Sequence, residues 1–101
     1  MPTKPALRRQ PLKRYQGGKP GTKYWRLAVW YDLAKHAWGE PDKAIAAALG
    51  HPDGAGTGLG QRDMDWAFSD EGSARVALSR VQKIIGRKRG FHTALDAFTE
   101  E

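Results

Sequence analysis

The chain has no cysteine, which excludes a disulfide framework, a thiolate zinc site and a thiol nucleophile. No apolar run reaches the length of a signal h-region or a membrane span. The expectation is therefore a cytoplasmic protein with no membrane association. Acidic residues are missing from the first 23 positions, which hold Lys4, Arg8, Arg9, Lys13, Arg14, Lys19 and Lys23. The remaining 78 residues carry ten Lys/Arg against eleven Asp/Glu, a net of −1. A sequence pI of about 9.9 thus describes a near-neutral body with a cationic arm.

At 101 residues the chain makes one domain at most. Pro2, Pro5, Pro11 and Pro20 oppose a helix near the N-terminus, and Gly17, Gly18 and Gly21 loosen the end of this stretch. Residues 1–21 therefore read as a disordered basic arm, and residues 22–101 as a single domain. A body this small buries a modest core, and homodimerisation is one way to enlarge it.

Residues 22–33 alternate with period two. Trp25, Leu27, Val29, Tyr31 and Leu33 share one face and belong to the core. Tyr24, Arg26, Ala28, Trp30 and Asp32 share the other. Gly39-Glu40-Pro41 opens a short helix that puts Ile45, Ala48 and Leu49 inward and stops at Gly50. Residues 51–60, with four alternating glycines, read as a mobile loop. A second strand over 62–68 turns Arg62, Met64, Trp66 and Phe68 inward. Ser69, followed by Asp70 and Glu71, then caps a helix to about Ile85, with Ala74, Ala77, Leu78, Val81 and Ile85 on one face. Residues 91–98 form a short element of undefined type.

These elements make a small two-layer α+β domain, an antiparallel sheet covered by helices. A ferredoxin-like arrangement would need strands beyond the two that the pattern supplies.

Seven cations without an acid suit a polyanion, because each phosphate contact releases condensed counterions. A second basic group lies on the last helix. Arg80, Lys83 and Arg87 fall on one stripe at i, i+3 and i+7, and Lys88 and Arg89 extend it. On the first strand Tyr24, Arg26 and Trp30 form an aromatic–cation–aromatic series that suits bases or a protein partner. The leading expectation is a non-enzymatic protein that binds DNA, RNA or a nucleoprotein complex through the arm and the helix stripe. The alternative is a small inhibitor or adaptor docking on a protein machine, in the manner of a phage-type antagonist of a bacterial defence complex. A third reading is a metal-dependent nuclease using Asp63 and Asp65, with Asp70 and Glu71 nearby. It rests on a D-x-D spacing that is frequent by chance. His36, His51 and His92 lack ligand spacing. The glycine run follows no phosphate-binding pattern. No cofactor, metal site or catalytic residue is expected.

Overall fold

The computed structural model describes residues 12–33, 40–86 and 88–101. The chain forms β1 (Lys23–Asp32), α1 (Glu40–Leu49), β2 (Gly54–Gly58), β3 (Gln61–Phe68), α2 (Glu71–Ile85) and β4 (Phe91–Thr99). Every strand pairing is antiparallel, and the spatial order is β2-β3-β1-β4. This is the α+β sandwich expected from the pattern. Its connectivity is the doubled, split β-α-β arrangement of ferredoxin-like folds.

Two strands that the sequence pattern did not reveal complete that arrangement. The segment expected to be a mobile loop contains β2, joined to β3 by a two-residue turn. Leu59 (φ 51°) and Gly60 (φ 77°) form the turn, both in the left-handed region that a tight hairpin requires. The strand Gly-Ala-Gly-Thr-Gly has little intrinsic strand preference and is held by its ladder to β3. The undefined element at 91–98 is β4, which pairs along β1 from Lys23 to Tyr31.

Both helices cover one face of the sheet. Leu27, Val29 and Tyr31 from β1 meet Met64, Trp66 and Phe68 from β3, under Ile45 and Leu49 of α1 and Ala74, Ala77 and Val81 of α2. These are the side chains that period two and the helical stripes turn inward. Most polar groups at the rim of the core find partners, as desolvation demands, while Arg14 Nε is buried without one. The Tyr31 hydroxyl donates to Asp42 Oδ1 at 2.6 Å, and Arg62 Nε donates to Asp42 Oδ2 at 2.9 Å, so one carboxylate ties α1 to two strands. The Trp66 indole N–H donates to the Gly50 carbonyl at 2.9 Å. The cap of α2 is Asp70, whose carboxylate accepts from the Ser73 N–H at 2.6 Å, and not Ser69 as the composition suggested. Ser69 instead donates its backbone N–H to the Lys13 carbonyl.

Residues 12–22 overlap the stretch read as a flexible arm, but they lie against the fold. Arg14 bridges to Phe68, the Tyr15 N–H donates to the Ala67 carbonyl, and the Lys13 N–H donates to Ser73 Oγ. The segment thus takes the edge of β3 beyond the point where β2 ends. Asp53 fills the gap by accepting the Ala67 N–H at 2.6 Å. Residues 1–11 lie outside the described residues, and so does the disorder expected there. The same holds for His36 and for Gly39, where the first helix was expected to open.

Candidate binding surfaces

With the helices on one side, the other face of the sheet is open. Period two fixes its occupants. They are Tyr24, Arg26, Ala28, Trp30 and Asp32 from β1, Gln61, Asp63, Asp65 and Ala67 from β3, and His92, Ala94, Asp96 and Phe98 from β4. On β2 the open face holds only Gly54, Gly56 and Gly58. Trp30 is therefore on the open side and not under a helix.

The open face has two different ends. At the Lys23 end, the Tyr15 ring lies 4.5 Å from Tyr24 at an interplanar angle of 3°, and Tyr24 stacks on Phe98 at 5.7 Å. The Arg26 guanidinium sits 5.7 Å from the Phe98 ring centre. Lys13, Lys19 and Lys23 are exposed at this end. Lys23 Nζ lies 5.7 Å from the Trp25 ring on the helix side. The chain that leads back to Lys4, Arg8 and Arg9 enters here too, although those three residues lie outside the described set.

The Tyr15 hydroxyl donates to Glu100 Oε1 at 2.5 Å, which lashes this ladder to the end of β4. That bond, with a smaller contribution from desolvation, pushes the Tyr15 phenol from 10.0 up to about 12. A raised phenol pKa means that the neutral form is favoured in the folded state. Its contribution is fully present below pH 10.0 and is lost as pH climbs through about 12. We predict that Glu100→Gln brings the Tyr15 titration back toward 10.0, read by phenolate absorbance with Tyr24→Phe as the background. An unchanged titration would show that the Glu100 bond does not set it.

At the other end Trp30 stacks on His92, with ring centres 5.5 Å apart. The missing side chains of β2 leave a trough of ≈ 570 Å³ between Trp30, Gly56, Gly58, Leu59, Asp63 and Asp65. The two carboxylates lie directly over the glycine strand. A Cβ at Gly54 would stand 2.8 Å from Asp65 Oδ2, and one at Gly56 would stand 2.9 Å from Asp63 Oδ1. Across the open face Asp32, Asp63, Asp65 and Asp96 outnumber the single cation Arg26. Arg26 Nε approaches Asp65 Oδ1 at 3.9 Å, a loose pair worth little.

The other cations are placed differently from what spacing alone implied. Arg14 donates to the Leu49 carbonyl at 3.1 Å, the His51 carbonyl at 2.7 Å and Asp53 Oδ1 at 3.0 Å. It closes the C-terminus of α1, and Phe68 lies beneath it with the ring centre at 5.9 Å. Arg80 leaves the α2 stripe and donates to the Ala48 carbonyl at 3.3 Å. Lys83, Lys88 and Arg89 are exposed, and Arg87 lies outside the described residues. The end of α2 sits beside the start of β4, opposite the Lys23 end. At ~3.3 Å per residue, the ten residues of β1 separate the two groups by roughly 30 Å. Among the described residues, Lys13, Lys19 and Lys23 therefore do not form one patch with Lys83, Lys88 and Arg89.

Asp63 and Asp65 are not joined by the acids that come after them in the chain. Asp70 caps α2, and Glu71 accepts from Arg75 at 2.6 Å. Among the described residues no three His, Asp or Glu side chains are grouped to hold a metal ion. No helix among the described residues is long and apolar enough to cross a membrane. No protein-family model matches the chain, and no curated protein matches it.

Sequence reasoning missed Phe98 and His92, because without β4 they had no neighbours. Tyr15 was legible as a stacking group, but its place as the outer ring of a ladder was not. The odd–even alternation of residues 91–96 carried that signal.

Proposed function

We propose that this is a non-enzymatic cytoplasmic binding protein that engages single-stranded nucleic acid, or a nucleoprotein, at the Lys23 end of its open sheet. The observation that supports this reading is the ring ladder Tyr15–Tyr24–Phe98, with Arg26 over it, Lys13 and Lys19 exposed at this end, and Lys23 exposed on the helix side of the same end. Bases stack on such rings while cations follow the phosphates. Lys4, Arg8 and Arg9 precede this segment in the sequence and add to its positive charge. The stripe of Lys83, Lys88 and Arg89 engages only a strand long enough to run the length of the sheet.

The test is a salt titration of the full chain on single- and double-stranded DNA and RNA. Affinity should fall steeply with salt and prefer single strands. Replacing Lys19 and Lys23 by glutamine should lower the log–log salt slope by about 1 for each phosphate no longer neutralised. Phe98→Ala should cost about 1–3 kcal/mol on single strands alone. The reading fails if no polynucleotide binds at low salt, or if these substitutions leave the slope unchanged.

The inhibitor or adaptor reading is favoured by a separate observation. Leu59 is fully exposed and holds a left-handed backbone at the tip of the β2–β3 hairpin, beside the carboxylate-lined trough and Trp30. An exposed leucine in a costly conformation suits an anchor for a protein surface. The four carboxylates would repel phosphates and attract a basic partner. A stoichiometric partner that survives nuclease treatment and is lost with Leu59→Asp supports this second reading.

A further inference from the structure

We propose that β4 is a dimer edge, along which a second copy of this chain pairs antiparallel to give one continuous eight-stranded sheet. The inference stands on the backbone of β4 and on the charges at its two ends. In an antiparallel ladder, alternate residues bond to the same neighbour. The Asp32 N–H donates to the Gly90 carbonyl and the Glu100 N–H donates to the Thr22 carbonyl, so even-numbered positions of β4 face β1. Thr93, Leu95, Ala97 and Thr99 therefore aim their N–H and C=O groups away from the sheet. Among the described residues, no backbone group pairs with them.

The two sheet edges differ in how they are guarded. The β2 edge is five residues long, made mainly of glycine, and residues 13–15 continue it along β3. The β4 edge is nine residues long, Phe-His-Thr-Ala-Leu-Asp-Ala-Phe-Thr, and has no proline, no lysine and no bulge in its register. Edges that stay unpaired usually carry such devices. Its one charge, Asp96, lies on the open face.

Charge selects a second copy as the occupant and sets its direction. Lys88 and Arg89 precede β4, and Glu100 and Glu101 end it. An antiparallel copy lays the basic end of each strand against the acidic end of the other. A dyad at Leu95 puts Arg89 opposite Glu101, Phe91 opposite Thr99 and His92 opposite Phe98. It also sets Asp96 opposite Ala94. Moving the dyad one residue to Asp96 would oppose two like carboxylates, which is unfavourable. The arrangement is isologous and closes, leaving only β2 edges at the outside.

Sedimentation equilibrium and amide hydrogen exchange on the full chain test this, over roughly 1 μM to 1 mM. The expected result is a monomer–dimer equilibrium in which the amides of Thr93, Leu95, Ala97 and Thr99 gain protection as concentration rises. Ala97→Pro removes one outward N–H where an edge tolerates proline, and should raise the dimer Kd at least about tenfold. Arg89→Glu and Glu101→Lys should each weaken the dimer, and the two together should restore it. The charge reversals decide the matter if the proline variant does not fold. A monomer at every concentration overturns the proposal. So does protection independent of concentration, as a segment of the same chain on this edge would give. A dimer indifferent to all these substitutions also overturns it.

Discussion

Trp66→Ala is expected to remove most of the domain's stability. Its indole is fully buried at the centre of the core and is the largest side chain there. Truncating a buried aromatic of this size costs about 3–5 kcal/mol through lost transfer energy and the cavity left behind. A further ~1 kcal/mol arises because the Gly50 carbonyl loses its indole donor beneath the end of α1. A small domain holds roughly 5–10 kcal/mol in total, so the variant should be partly unfolded at room temperature. Urea denaturation followed by far-ultraviolet circular dichroism measures this. Trp66→Phe, which keeps most of the volume, should lose less than half as much. If the alanine variant unfolds at the wild-type midpoint, Trp66 does not sit at the centre of the core.

Arg14→Lys is expected to destabilise the fold while leaving the net charge unchanged. The guanidinium reaches two carbonyls at the end of α1 and the carboxylate of Asp53 at once. A lysine is a point charge and cannot hold that fork. Asp53 would then keep its bond to the Ala67 N–H but lose its cation. The side chains of Arg14 and Asp53 are 22% and 34% exposed, so solvent screens the ionic part. The lost hydrogen bonds leave an expected cost of about 2 kcal/mol. The substitution also separates structure from binding. If Arg14 acts on the fold alone, the wild-type chain and Arg14→Lys bind polynucleotide with the same affinity per folded molecule. A loss of affinity at full folding would instead give Arg14 a direct contact.

Arg14 also shows where sequence reading stopped. Its charge and its place among prolines and glycines read as part of a flexible arm. Nothing local announces that Leu49, His51 and Asp53, more than thirty residues away, converge on it. Arg80 teaches the same lesson on α2, where helical spacing put it on an outer stripe and the neighbouring helix claimed it. The strands β1 and β3 were legible because one half-buried face imposes period two on the residues themselves. The α2 stripe was legible for the same reason, with period 3.6. The strand β2 was not, since glycine gives no hydrophobic alternation and the β3 ladder supplies the order. The open face could be named on β1 but not assembled, because its other half comes from β4.

By itself the sequence determined the α+β class, the inward faces of four elements and the uneven distribution of charge. Burial acts on each of those side chains singly, so it leaves a periodic trace along the chain. Tertiary structure alone decided which strands complete the open face, which cations turn inward to the fold and where the rings of Tyr15, Tyr24 and Phe98 meet. Those properties depend on strand order and on partners remote in sequence, and no local period records them.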